Sequence, residues 1–302
     1  MTAETETMGS SPESGRYPRE RAVVILVTGP SGKVGSEAVR LLGEQQHAAR
    51  ALVRDRSRAP RGAADVAVGD FEQRATVDAA MREVDTVLLI SAAVPEHEIA
   101  VIDAAVRQGV GHVVKITNHK ATADSPVARR RDHARVEAHV RATGLDYTLL
   151  APNFFLQNLF AFIPSIRESH SFVMCSGDGR LGMVDARDVA AAAATVAGAP
   201  AAHAGRSYLL TGPELVSYAD VATALGTALG HEVEYRSVSP ETHRAMLVDA
   251  GVPESAATSN VQAFGLVAEG DAAWLSGDAG RLIGRAPRSL REFVADHVSA
   301  FA

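Results

Sequence analysis

A histidine and a glutamate one helical turn apart are the side chains whose types and spacing first suggest chemistry. They are His133 and Glu137, in the stretch RRRDHARVEAHV at 129–140. Residues at i and i+4 share one face of a helix, and an imidazole with an ordinary pKa of about 6.5 can donate or accept a proton near neutral pH. Pairs with this spacing are also common on exposed helices. The surrounding strands and helices are therefore needed to distinguish a catalytic site from a solvated helix face.

A glycine-rich loop, VTGPSGKVG, follows the first apolar run of the chain and precedes the first helical pattern. Glycine is needed in such a loop because the turn is tight, a pyrophosphate approaches the backbone, and the helix packs closely on the strand. The helix amino terminus then presents N–H groups to the phosphates. The pattern predicts dinucleotide binding, with a purely structural turn as the alternative. The expected binding residues are Gly29, Ser31, Gly32, Lys33, Val34 and Gly35.

The end of the second predicted strand selects the nucleotide. An acidic residue there favours NAD, whereas a basic residue accommodates a 2′-phosphate. The sequence ALVRDRSRA places Arg54 at that position, with Arg56 and Arg58 close by. NADP, used as NADPH, is therefore the predicted cofactor, although Asp55 leaves NAD open. The residues expected to border the adenine follow the third strand and are Asp70 and Phe71.

Short apolar runs alternate with helical periodicity from residue 22 onward, which is typical of βαβ units on a parallel sheet. Strands are predicted at 22–27, 51–53, 65–68, 84–90, 112–116 and 147–150. The predicted class is α/β, with a doubly wound parallel sheet of the Rossmann type. Three segments are expected: a disordered tail at 1–20, a dinucleotide-binding core at 21–152, and a smaller C-terminal α/β part at 153–302 that binds substrate. A strand near 208–210 is expected to return from this part to the sheet.

The composition argues against several other classes of protein. A net charge of −6 and a pI of about 6.0 do not provide the basic field that nucleic-acid binding needs. The only cysteine, Cys175, cannot form an internal disulfide or a CxxC motif, and no metal site is predicted because three or four converging ligands are not apparent. No apolar run is long enough to span a membrane, so no membrane partner is expected. The expected location is the cytoplasm, and a homodimer is compatible with the sequence.

Three longer stretches join the loop in resembling one family. They are GLDYTLLAPNFFLQNL (144–159), YLLTGPELVSYADVA (208–222) and GRAPRSLREFVADH (284–297). From about Ala22 to the C-terminus the chain resembles the NmrA-like branch of the atypical short-chain dehydrogenase/reductases, with the NAD(P)H:quinone oxidoreductase type 2 proteins as nearer neighbours. The resemblance implies that the three glycines bind the pyrophosphate and that Arg54 binds the 2′-phosphate. It also implies that Ser91 and the residues Asn153 to Phe155 line the nicotinamide end of the cleft. The alternatives are that Phe154 and Phe155 pack in the core and that Ser91 only forms a turn at the strand end.

The usual proton donor of short-chain dehydrogenases is missing from this sequence. These enzymes carry a serine after the fifth strand and a Tyr-x-x-x-Lys pair on the next helix; here Thr117 stands at the serine position, and Arg129 and His133 stand at the offset of the pair. Three accounts remain open. His133 replaces the lysine or supplies the proton, with His119 as a second candidate donor; or the substrate or water supplies the proton; or no reaction occurs and the protein reports the cofactor state.

The resemblance implies an NADPH-dependent oxidoreductase that transfers hydride to a quinone or a conjugated aromatic ketone. The alternative is a regulatory protein that binds NADP without turnover. The partner is expected to be a small aromatic or quinone substrate. The candidate catalytic residues are His133, Thr117 and Ser91.

Overall fold

The structure is a computed structural model that describes residues 23–91 and 94–302. The predicted disordered tail at 1–20 and the first residue of the predicted strand at 22–27 lie outside the described residues. Within the described residues, no helix is both long and apolar enough to cross a membrane.

Seven strands form one parallel sheet in the order β3-β2-β1-β4-β5-β6-β8. Their bounds are β1 Val24–Val27, β2 Ala48–Val53, β3 Asp65–Val68, β4 Thr86–Leu89, β5 His112–Ile116, β6 Asp146–Pro152 and β8 Ser207–Leu210. The strand order reverses between β1 and β4, so the connections leave in opposite directions there and open a crevice at the carboxyl ends of the strands. The predicted doubly wound α/β class is confirmed.

Helices cover both faces of this sheet. One face carries α1 (Lys33–Glu44), α6 (Ala186–Gly198) and α10 (Asp278–Ile283), and the other carries α2 (Arg74–Ala80), α3 (Pro95–Gln108) and α4 (Ala128–Ala142). The alanine-rich helix α6 has many small buried residues, which let it pack closely against α1. Strand β8 and helices α6 and α10 come from the C-terminal half of the chain, so this half contributes to the layers around the sheet.

The rest of the C-terminal half forms a second, aromatic core beside the carboxyl ends of the strands. A small parallel sheet of β7 (Ser171–Met174) and β9 (Glu234–Ser237) belongs to it. Its helices are α5 Ile163–Ser169, α7 Tyr218–Leu229, α8 Pro240–Asp249, α9 Glu254–Ala268 and α11 Leu290–Phe301. The core includes Phe172, Tyr218, Phe293 and Phe301. Strands β7 and β9 were not predicted, because they lie beyond the region in which strand and helix patterns alternate regularly.

Two helices in this half begin at a capping box. At the start of α7, Ser217 and Asp220 form a capping box, in which each side chain accepts a hydrogen bond from the backbone N–H of the other residue. Ser289 caps the last helix, so α11 begins at Leu290 and not at the preceding Pro287. The residues before the cap are held instead by buried Asp188, whose Oδ2 accepts a hydrogen bond from the backbone N–H of Arg288 at 2.6 Å.

Candidate active site

Two adjoining cavities of about 420 and 290 Å³ follow the carboxyl ends of the strands of the large sheet. The first lies over β1, β2 and β3, the second lies over β5 and β6, and Ser91 after β4 lines both. A long ligand can therefore extend through both cavities, as an extended dinucleotide would across the switch point of the sheet.

The glycine loop has the close packing that a dinucleotide fold needs. Gly29 has φ +55°, and a Cβ there would stand 2.6 Å from the carbonyl oxygen of Ile90. A Cβ on Gly35 would stand 2.2 Å from the carbonyl oxygen of Gly29. A Cβ on Gly32 would meet only that same oxygen, at 3.4 Å. Gly29 and Gly35 thus serve the fold, while Gly32 leaves room for an approaching ligand.

The amino terminus of α1 is suited to bind phosphate. No side chain caps it, and its first turn contains no acidic residue. Its backbone N–H groups and dipole can therefore face an anion. Ser31 lines the first cavity, whereas Lys33, Val34 and Gly35 line a smaller space on the other side of the loop. The Lys33 ammonium donates to the carbonyl oxygen of Gln157 at 3.1 Å.

The three arginines after β2 have different roles. Arg54 and Arg58 line the first cavity. Arg56 turns away and donates to the carbonyl oxygen of Val66 at 2.9 Å. The Asp55 carboxylate accepts from the backbone N–H of Ser57 at 2.9 Å, so it caps the short 3-10 turn at 56–58. The acidic residue that left NAD open is thus engaged by its own turn, and two guanidinium groups line the cavity in which the sequence predicts the 2′-phosphate.

The predicted adenine border lies in the wall of the first cavity. Asp70 and Phe71 both line it. The Phe71 ring packs against His97 of α3 with ring centroids 5.8 Å apart. The Asp70 carboxylate accepts from the backbone N–H of Glu72 at 3.1 Å, which holds the turn. The arrangement offers an aromatic wall to a flat base.

A buried polar network underlies the second cavity. Lys115 of β5 and Glu98 of α3 form an ion pair at 2.5 Å, with side chains 0% and 2% exposed. The second oxygen of Glu98 accepts from the Ser91 hydroxyl at 2.6 Å. The Lys115 ammonium also lies 3.4 Å from Nδ1 of His133. One buried ion pair therefore positions two of the predicted catalytic side chains.

His133 is neutral in this environment. Burial, and then the charges of Lys115 and Arg129, lower the pKa of His133 to about 3. The ammonium of Lys115 can only donate, so Nδ1 accepts and the proton of the neutral ring is assigned to Nε2. His133 can thus donate a hydrogen bond into the cavity, but near neutral pH it holds no extra proton to give up.

His133 and Glu137 share a helix face but contact different residues. The Glu137 carboxylate accepts from the Thr117 hydroxyl at 2.5 Å and from Arg141 at 3.0 Å. Because its proton is directed to Glu137, the Thr117 hydroxyl is not a donor toward the cavity in this arrangement. The stretch 129–140 is therefore a half-buried helix face that fixes the end of β5, and Arg129, Arg130 and His133 of this stretch line the cavity.

The C-terminal half supplies the opposite wall of the second cavity. The Asn153 amide donates to the carbonyl oxygen of Ala272 at 3.1 Å, while its oxygen accepts from the backbone N–H of Phe154 at 2.9 Å. Trp274 packs edge-on against His119 with centroids 4.4 Å apart. Phe154 and Trp274 both line the cavity. Asn153 thus positions the aromatic wall through the loop at 271–274.

Sequence reasoning missed Lys115, Glu98 and Trp274. A signal for Lys115 existed, because HVVKI is an otherwise apolar strand with one charge in it, and a charge is buried only when it is paired. Glu98 and Trp274 gave no comparable signal. A glutamate in the first turn of a helix is ordinary, and Trp274 lies in a loop far along the chain.

Comparisons with known proteins agree with this geometry. The model of the NmrA-like family matches residues 22–294. An NAD(P)H azoreductase of Xenophilus azovorans is 36% identical, over 92% of this chain and 99% of its own. A (4-alkanoyl-5-oxo-2,5-dihydrofuran-3-yl)methyl phosphate reductase of Streptomyces griseus is 31% identical, over 92% of this chain and 99% of the reductase. The structure of an NADPH-dependent quinone oxidoreductase of Escherichia coli, solved with NADPH, superposes with a TM-score of 0.81. The match has 27% identity and covers 91% of this chain and 98% of the oxidoreductase.

The fold and the site define a dinucleotide-dependent oxidoreductase. The chain belongs to the NmrA-like family. The predicted family, the NADP cofactor and the oxidoreductase class are confirmed. The regulatory alternative is not favoured.

The glycine loop provides a direct test of cofactor placement. We expect Gly32→Ala to weaken NADPH binding by roughly 10–100-fold without unfolding the protein, because one misplaced methyl costs about 1–3 kcal/mol. The measurement is an NADPH fluorescence titration beside a thermal unfolding curve. Gly35→Ala is the contrasting variant, and it should lower thermal stability because its Cβ has no space. Unchanged NADPH binding by Gly32→Ala would place the pyrophosphate elsewhere.

Proposed function

We propose that this protein reduces a quinone or another conjugated, electron-poor aromatic acceptor with NADPH. The observation that carries the proposal is the second cavity, which joins the cofactor cleft and combines an aromatic wall with a neutral histidine donor. The relatives named above are an azoreductase, a dihydrofuranone phosphate reductase and a quinone oxidoreductase, whose named acceptors all contain conjugated double bonds.

NADPH, when bound, supplies a hydride, which carries two electrons and one hydrogen nucleus to the acceptor. The protein holds the reactants and stabilises the charge that develops. Gly32 and the start of α1 hold the phosphates, and Arg54 and Arg58 hold the 2′-phosphate. Ser91 lies where the two cavities meet, so it would lie beside the bound cofactor. Phe154 and Trp274 hold the flat acceptor.

His133 donates a hydrogen bond to the acceptor oxygen as negative charge builds on it. A reduced quinone is a stable phenolate, so it takes its proton from water once the charge has formed. In total, the acceptor gains one hydride from NADPH and one proton from water. This assignment favours a proton from water over a proton from His133. We propose action in the cytoplasm, and the homodimer remains a prediction.

The test is NADPH consumption with a panel of quinones and aromatic ketones, followed by absorbance and corrected for the reaction without protein. We expect saturable, protein-dependent turnover. No turnover with any acceptor, despite measured NADPH binding, would contradict the proposal and return weight to the regulatory alternative.

Substitution of His133 separates hydrogen bonding from proton donation. His133→Gln retains a donor that does not titrate, so we expect its kcat/KM to stay within about 3-fold, whereas His133→Ala should lose roughly 10-fold for one hydrogen bond. Because the pKa of His133 lies far below neutrality, its removal should not change the pH profile of kcat/KM between pH 5 and 8. A large loss of kcat/KM in His133→Gln, together with a changed pH profile of kcat/KM, would show that His133 gives up a proton.

A further inference from the structure

The second cavity has an excess of positive charge. Its lining includes Arg129 and Arg130, and none of its lining residues is an aspartate or a glutamate. The carboxylate behind the wall, Asp271, is shared between Arg130 and Lys120, the latter at 2.6 Å. Among the described residues, no hydrogen bond or ion pair holds the Arg129 guanidinium. Arg129 therefore has no counterion within the part of the chain that the structure describes.

The positive charges around the second cavity also lower the pKa values of two histidines. The charges of Lys115 and Arg129 add to burial in lowering the pKa of His133. Burial, and then the charges of Lys120 and Arg130, lower the pKa of His119 against the opposing charge of Asp271. Burial is the larger cause of both shifts, but Arg129 and Arg130 line the cavity themselves, so their charges would favour an anion there.

The phosphates of the cofactor do not account for this charge. The pyrophosphate belongs to Gly32 and the start of α1, and the 2′-phosphate belongs to Arg54 and Arg58, all outside the second cavity. Arg129 instead stands one helical turn before His133 on α4, so both side chains lie on one face. The anion that Arg129 could bind is therefore carried by the acceptor.

We propose that Arg129 is a specificity-determining residue and that the preferred acceptors are flat aromatic compounds bearing an oxyanion group such as a sulfonate, carboxylate or phosphate. The guanidinium provides a planar pair of N–H donors that matches such a group. Phe154 and Trp274 hold the ring, and His133 faces the reducible end. The inference rests on the proposed function, because it assigns the substrate class of the same site.

The experiment compares two naphthoquinones that differ in charge. The acceptors are 1,4-naphthoquinone-2-sulfonate and 2-methyl-1,4-naphthoquinone, and the measured quantity is kcat/KM with NADPH. We expect Arg129→Gln to lose roughly 10–100-fold with the sulfonate, as for one charged hydrogen-bonded contact, and less than about 3-fold with the neutral quinone. Comparing each variant with the wild type for each acceptor cancels the intrinsic reactivity of the quinones.

The matched control is Arg135→Gln on the same helix. Arg135 is exposed and pairs with Glu96 at 2.5 Å, away from the cavity, so neither acceptor should be affected. Arg129→Lys should recover part of the sulfonate preference, because a point charge remains but the planar pair of donors is lost. Equal losses with both acceptors, or no loss with either, would overturn the proposal.

A binding measurement keeps the inference separate from turnover. We expect 2-naphthalenesulfonate to bind the NADP⁺-loaded wild type and to bind Arg129→Gln roughly 10-fold or more weakly, by calorimetry, whereas 2-naphthalenesulfonamide should not distinguish them. If the wild type reduces no acceptor but shows this difference, the proposed reaction fails and the anion site stands. If it reduces acceptors but both proteins bind the sulfonate equally, the reaction stands and the anion site fails.

Discussion

Replacing Lys115 with methionine is expected to lower the free energy of unfolding by about 3–5 kcal/mol, the loss typical of breaking a buried ion pair. Lys115 is fully buried, and its partner Glu98 is 2% exposed. The variant would leave a carboxylate in the interior with the Ser91 hydroxyl as a remaining partner. The measurement is urea unfolding followed by circular dichroism, with the change read from the midpoint at constant slope.

Two further variants make this prediction specific. Lys120→Met removes a lysine that is 45% exposed and pairs with Asp271, so it should cost about 1 kcal/mol or less. The double variant Lys115→Met with Glu98→Leu should recover much of the lost stability, because it removes the unpaired charge with its partner. A double variant no more stable than Lys115→Met would show that the cost arises from packing and not from the charge.

Replacing both Arg54 and Arg58 with glutamine is expected to lower kcat/KM for NADPH by roughly 100–1000-fold, which corresponds to two charged contacts of about 1.5–2 kcal/mol each. The kcat/KM for NADH should change little, because NADH lacks the 2′-phosphate. The two guanidinium groups line the first cavity, and Asp55 is held by Ser57. The measurement is the ratio of kcat/KM for the two cofactors with one quinone acceptor.

Arg56→Gln is the control for cofactor choice. Its guanidinium donates to the carbonyl oxygen of Val66 and does not line the cavity, so the NADPH to NADH ratio should stay within about 3-fold of the wild type. If Arg56→Gln changes the ratio and the double variant does not, the 2′-phosphate lies on a different arginine from the two assigned here.

Features that depend on neighbouring residues were predictable from the sequence. The glycine spacing follows from one tight turn, so Gly29, Gly32 and Gly35 could be placed between a strand and a helix without knowing the rest of the fold. Arg54 follows from its position at a strand end. Ser217 and Asp220 follow from capping geometry within four residues. These patterns were sufficient for the fold class and for the NADP cofactor.

Features that depend on distant residues were decided by the tertiary structure. Lys115 and Glu98 lie on different elements, and nothing local to either indicates the other. The neutral state of His133 comes from burial between β5 and α4, which a helix pattern cannot reveal. Asp271 reaches Arg130 from 141 residues away along the chain.

The sequence by itself determined that this chain is a doubly wound NADP-binding protein without the usual tyrosine donor, because turns, strand ends and missing motifs are local. Only the tertiary structure decided which charges are paired. The pKa of His133, and the lack of a counterion for Arg129 within residues 23–91 and 94–302, depend on burial and on charges brought together across the sheet. Electrostatic energies change with environment far more than backbone preferences do, so the chemistry of the second cavity could be read only after folding.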